Sequence, residues 1–166
     1  MADEPQPCYV AALRILQYRF NSEAELRRKL KRKQFTTDEI DDAIVRLYRE
    51  KWLDDERFAG ALVRTRVNKR IGQFRIRREL QAAGVEGETA AAALAQHVDP
   101  EREQEHLVEL LRKRARALTR RHGEGYVFTD EGRNKLTGYL LKQGYDAGLV
   151  YQALKELPVV DHQPDP

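Results

Sequence analysis

Apolar residues recur along this chain at spacings of three and four, and no alternating stretch longer than a few residues suggests a strand. Three segments superimpose without a gap: SEAELRRKLKRKQFTTDEIDDAIVRL (22–47), GQFRIRRELQAAGVEGETAAAALAQH (72–97) and GRNKLTGYLLKQGYDAGLVYQALKEL (132–157). Their offsets are 50 and 60 residues. Six columns are apolar in all three copies: Leu26/Ile76/Leu136, Leu30/Leu80/Leu140, Phe35/Val85/Tyr145, Ile40/Ala90/Val150, Ala43/Ala93/Ala153 and Ile44/Leu94/Leu154. At 41% apolar content chance supplies about two such columns, so the register carries information. Gly84 and Gly144 share a column just after the first helical stretch, where a left-handed residue would end a helix; Gln34 fills it in the first copy.

Positions 26 and 30 lie one turn apart, as do 40 and 44, so each segment reads as a helical hairpin. Ser22-x-x-Glu25 and Thr36-x-x-Glu39 have capping-box spacing. A further helix precedes each hairpin, roughly at 8–20, 55–70 and 101–121, the last opened by Asp99 as N-cap and Pro100 in the first turn. The pattern predicts an all-α fold of three tandem three-helix repeats at 8–50, 51–98 and 99–157, with disordered tails at 1–7 and 158–166. Repeats this small sit near the limit for independent folding, so they should stack into an elongated, curved molecule about 60–70 Å long. The third repeat departs from the pattern. RRHGEGYVFT reads as an inserted loop, and Gly132 and Gly138 weaken the helix that follows.

Charge changes this picture from a plain scaffold to one with a candidate partner. Net charge is only +3, but it is segregated. Eight Arg or Lys and no acid lie between Arg57 and Arg78, six basic residues in seven run from Arg27 to Lys33, and six in ten from Arg112 to Arg121. Such clustering favours an anionic partner, although any one run also fits a solvated helix face. The candidate nucleic-acid or filament-binding residues are Arg64, Arg66, Lys69, Arg70, Arg75, Arg77 and Arg78 in the second repeat, with Arg27, Arg28 and Lys31 in the first. Tyr9, Tyr18, Phe20, Phe35, Tyr48, Trp52, Phe58, Tyr139 and Tyr145 lie mostly at core-like spacing; Phe74, Tyr126 and Phe128 are the candidates for partner contact.

The stretch WLDDERFA (52–59) is the strongest candidate for chemistry, with three consecutive acids. It falls where one repeat ends and the next long helix begins. Asp54 or Asp55 as N-cap, with the other acids in the first turn, accounts for the charge through backbone N–H groups and the helix dipole. Catalysis would need an apolar pocket to perturb one carboxyl, and a metal would need further ligands that His97, His106, His122 and His162 are not spaced to give. Cys8, the single cysteine, lies in what reads as a Pro-flanked tail with no His nearby; it can form no internal disulfide, which fits a reducing cytoplasm. No catalytic, metal-binding or cofactor-binding residue is assigned. The chain has no secretory signal and no apolar run of membrane-spanning length.

The same stretch resembles a family signature, [YF]-[LI]-[DN]-D-x-x-[FY]-A, of the RecX regulators of the RecA recombinase, matched here by Trp52, Leu53, Asp54, Asp55, Phe58 and Ala59. Leu13, Leu16, Arg19, Ser22, Glu25, Leu26, Lys29 and Leu30 are similar to the family's opening pattern, and Gly72, Ile76, Glu79, Leu80, Gly84 and Val85 to its G-x-x-x-I-x-x-E-L-x-x-x-G-I/V segment. The resemblance covers about 10–97. It implies tandem three-helix repeats and a non-enzymatic negative modulator of RecA. Such a protein binds the RecA–single-stranded DNA filament in its groove and suppresses recombinase, ATPase and co-protease activities in DNA repair, recombination and the SOS response. It also implies weak, non-specific binding of single-stranded DNA. A cytoplasmic monomer is the expectation for the chain. The rival readings are a helix-turn-helix-like DNA-binding module acting without RecA, and a helical scaffold for a protein partner. The last helices, IDDAIVRL, TAAAALAQH and GLVYQALKEL, are acidic or apolar and lack residues suited to reading base edges.

Overall fold

The computed structural model describes residues 6–157; both sequence-predicted tails lie almost wholly outside them. Among the described residues all regular structure is helical: α1 (Pro7–Tyr18), α2 (Glu23–Arg32), α3 (Thr37–Arg49), α4 (Asp55–Asn68), α5 (Gln73–Ala82), α6 (Gly87–His97), α7 (Pro100–His122), α8 (Asp130–Gln143) and α9 (Ala147–Lys155), with one 3-10 helix at Glu124–Phe128. The helices fall into three tandem three-helix repeats, as the hydrophobic register predicts.

Local chemistry sets the boundaries. The Ser22 side chain accepts from the Glu25 N–H, and Thr36 with Glu39 forms a complete capping box at the start of α3. Asp99 accepts from the N–H groups of Glu101 and Arg102 and starts α7. Gln34, Gly84 and Gly144, one column of the register, all have positive φ (70°, 79° and 94°). The first hairpin therefore turns as the others do, although a side chain at such a φ costs about 1 kcal/mol. Two further helices end the same way, on Lys51 and Arg70 (φ 59° and 56°).

Contacts divide the described residues into two compact bodies: 6–65 with Arg77–His97, and Arg66–Ile76 with 98–157. Repeat 2 contributes to both. In the first body α1, α2 and α3 bury Tyr9, Ala12, Leu26, Leu30, Ile40, Ala43, Ile44, Leu47 and Leu53 together. In the second, α7, α8 and α9 enclose Leu107, Leu111, Leu118, Val127, Leu136, Leu140, Tyr145, Val150 and Leu154. Every residue of the six apolar columns is buried except Phe35, which is half-buried against the first core.

Three expectations need correction. Cys8 is in no tail: it sits in the first turn of α1, 1% exposed, and burial pushes its thiol pKa up, which makes it inert. The segment after α7 is no open loop, because its 3-10 helix puts Val127 into the core. Of the aromatics expected inside, Tyr9, Phe58 and Tyr145 are buried, but Tyr18, Phe20, Tyr48 and Trp52 are exposed. Tyr18 lies off the α1 stripe, and Phe20 and Trp52 lie in the turns beyond helix ends, where the periodicity no longer assigns a face.

Candidate functional site

The three acids of WLDDERFA divide their work. Asp54 accepts from the Arg57 N–H at 2.9 Å and caps its own helix, α4. Asp55 reaches to the preceding repeat and accepts from the Glu23 N–H at 2.8 Å, at the start of α2. Burial raises the Asp55 carboxyl above its ordinary pKa, against the hydrogen bond from Glu23, which lowers it. Glu103, near the start of α7, repeats the arrangement one junction later. Its two oxygens accept from the Gln73 N–H (2.7 Å) and the Gln73 side-chain amide (2.9 Å) at the start of α5. Glu23 and Gln73 occupy the same column, so an acid from each following repeat caps the second helix of the one before it. Trp52 is exposed, while Leu53, Phe58 and Ala59 are buried. The signature residues thus hold two repeats together. Among the described residues no group of three or more His, Cys, Asp or Glu could hold a metal ion.

The ten basic candidates separate by what their side chains already do. Arg70 pairs with Glu109 at 2.8 Å, and its carbonyl accepts the Tyr145 hydroxyl at 2.8 Å. Arg75 donates to the Gln143 side chain at 3.3 Å. Arg64 lies 3.1 Å from the His97 ring, and Arg66 also has a partner. Arg27 is held by Glu23 and Asp41, and Arg28 donates to the Ala82 carbonyl at 3.1 Å. Lys31, Lys69, Arg77 and Arg78 are exposed and have no side-chain partner among the described residues. Of these, Lys31, Arg77 and Arg78 belong to the first body and Lys69 to the second.

Two grooves give these cations a setting. In repeat 1 a groove of about 260 Å³ runs between α2 and α3, lined by Ala24, Arg27, Arg28, Lys31, Thr37 and Ile40. Repeat 2 has the corresponding groove between α5 and α6, about 270 Å³, lined by Arg77, Gln81, Val85, Gly87, Ala90 and Ala91. Arg27 and Arg77 share a column, but their surroundings differ. Repeat 2 has Gln73 and Ala91 where repeat 1 has Glu23 and Asp41, the two acids that neutralise Arg27. Arg77 therefore lacks the two neutralising acids of its counterpart. In repeat 3 the pair Arg27-Arg28 becomes Thr137-Gly138, and the corresponding surface exposes Leu141 and Tyr151 instead.

The first body has a second surface that periodicity does not reveal. Leu13, Leu16, Gln17, Phe20, Lys51, Trp52 and Arg57 line a cleft of about 250 Å³. The Arg57 guanidinium lies 4.7 Å from the centre of the Phe20 ring, and Trp52, the chain's one tryptophan, is 57% exposed beside it. Phe74 is also exposed. Tyr126 is engaged within its own repeat, stacked on His122 with ring centres 4.2 Å apart and accepting from Lys135 at 2.6 Å.

Comparison with known proteins accords with the repeats. Residues 8–47 match the model of the first three-helix domain of RecX, and residues 54–94 that of the second. A regulatory protein RecX of Trichlorobacter lovleyi is 34% identical over 159 residues, covering 93% of this chain and 98% of that protein. One from Oceanobacillus iheyensis is 29% identical over 96% of this chain, which spans only 56% of its length. The crystal structure of RecX from Lactobacillus salivarius superimposes with a TM-score of 0.76 at 27% identity, over 95% of this chain and 98% of that one.

Proposed function

Since the chain belongs to the RecX family of regulatory proteins, we propose that it is a negative modulator of RecA. In this reading it binds the RecA–single-stranded DNA filament in its groove and inhibits recombinase, ATPase and co-protease activities without chemistry of its own. The observation that carries the reading is the set of exposed cations Lys31, Arg77 and Arg78, unpaired among the described residues, on the hairpin grooves and helix faces of repeats 1 and 2. Unpaired guanidinium and ammonium groups bind phosphate without first breaking an internal ion pair. The acid-rich or apolar third helices, α3, α6 and α9, support backbone rather than base-edge contact. The deciding experiment is RecA ATPase on single-stranded DNA with sub-stoichiometric protein. A severalfold loss of turnover is expected, and unchanged turnover at equimolar protein would overturn the reading.

Lys31→Glu, Arg77→Glu and Arg78→Glu together test the surface. The triple variant should bind filament more weakly and with a flatter dependence on salt, by about 0.7 in the log–log slope for each phosphate no longer neutralised. Arg70 and Arg75 make poor test positions, because their side chains already hold elements of repeat 3.

A further inference from the structure

The two junctions between repeats use one geometry. At the first, the Ser22 hydroxyl donates to the Ala83 carbonyl at 2.5 Å, and a Cβ on Gly84 would overlap the Ala24 methyl. At the second, the Gly72 N–H donates to the Gln143 carbonyl at 3.0 Å, and a Cβ on Gly144 would overlap Arg75. Ser22 and Gly72 share a column, as do Ala83 and Gln143, and Gly84 and Gly144. The hairpin turn of each later repeat is thus seated on the start of the second helix of the repeat before it, and the turn must be glycine because nothing larger fits.

This rule makes the outer repeats informative. Repeat 3 offers the same seat at Gly132, and no further repeat fills it among the described residues. The seat is taken by the 3-10 helix: a Cβ on Gly132 would overlap the Tyr126 carbonyl and approach the Val127 Cα, just as one on Gly72 would overlap the backbone of Gly144 and Tyr145. The Tyr126 carbonyl accepts the Thr129 hydroxyl at 2.7 Å, as the Ala83 carbonyl accepts that of Ser22. Repeat 1 has the opposite need. Its turn, Lys33-Gln34, is exposed, and it carries a side chain where both seated turns carry glycine. Gln34 keeps the left-handed backbone and gives up the close approach.

We propose that each outer face is a docking surface for another three-helix repeat, offered by a second copy of this chain, and that two plugs keep both faces shut. Gln34 blocks the leading turn, and the 3-10 helix fills the trailing seat. Without them the contact is head-to-tail and need not close, so copies would add in series. The continuity of the seat through both existing junctions argues for a second copy as the occupant.

The test uses the full chain. Gln34→Gly frees the turn, and Gly132→Ser expels the Tyr126 carbonyl while restoring the residue type found at position 22. Sedimentation and light scattering should find the parent and each single variant monomeric. The double variant should gain weight-average mass by about twofold or more between about 10 and 200 µM. An equimolar mixture of the two single variants should give a 1:1 complex that neither forms alone. Val127→Asn replaces Gly132→Ser as a second way to unseat the 3-10 helix, with helicity followed by circular dichroism. A helical double variant that stays monomeric overturns the proposal, as does a parent that self-associates with both plugs present. Loss of helicity in both the Gly132→Ser and the Val127→Asn chains also counts against it, because the 3-10 helix would then be holding repeat 3 up rather than covering a seat.

Discussion

The junction between repeats 1 and 2 and that between repeats 2 and 3 have the same layout and different chemistry. The first relies on side chains: the Ser22 hydroxyl, the Asp55 carboxylate, the Arg28 guanidinium and the Ala24 methyl. The second has side-chain contacts of its own, Glu103 on Gln73 and Arg75 on Gln143, and adds direct backbone contact: the N–H groups of Gly72 and Phe74 donate to the carbonyls of Gln143 and Gly144, both at 3.0 Å. The difference teaches that the repeat preserves positions in space rather than residue types. It also gives the two junctions different tolerance to substitution, because a methyl group can be trimmed and a peptide unit cannot.

Gly144→Ala should show the largest effect, a loss of about 3 kcal/mol or more in denaturant unfolding, since the new Cβ meets backbone in a left-handed turn. Gly84→Ala should cost about 2 kcal/mol, and Ala24→Gly in the same chain should recover part of that loss. Failure of the rescue would erase the distinction between the junctions. Glu103→Ala leaves the start of α5 without its acceptor and should cost about 1–3 kcal/mol, whereas Glu103→Gln should keep most of the contact. Ser22→Ala removes the cap of α2 and leaves the Ala83 carbonyl without its donor, and should cost about 1–2 kcal/mol by thermal melting.

The smallest effect is one of pH. Asp55 has a folded pKa raised above its ordinary 3.8, so its contribution is most favourable below that value and declines as pH rises through the raised one. Melts from acid to neutral pH should show Asp55→Asn losing that decline. The variant should be at least as stable as the parent at pH 7 and lose that relative standing toward pH 4. A constant difference across the range would remove burial as the cause.

Much of this fold is legible in the chain. The six apolar columns are the cores of the repeats, and the glycine column marks the turns even where Gln34 replaces glycine, because the turn geometry outlasts the residue suited to it. What periodicity cannot show is any contact across a junction. Asp55 reads as a cap for its own helix, and only the fold reveals that it caps α2 of the preceding repeat. Glu103 looks like one acid among several near the start of α7. The basic runs are legible as charge, but their availability is not. Arg27 and Arg77 look alike in sequence, and the neutralising acids around Arg27 come from two helices. The exposed aromatics escape the pattern for a related reason: spacing specifies a face only while the helix lasts.

The adjacent carboxylates of Asp54 and Asp55 act as a rivet through two layers, one gripping the helix that starts there and the other the helix behind it. Tilting α4 must pull on α2, so a load placed on either of the first two repeats is handed across by two neighbouring bonds.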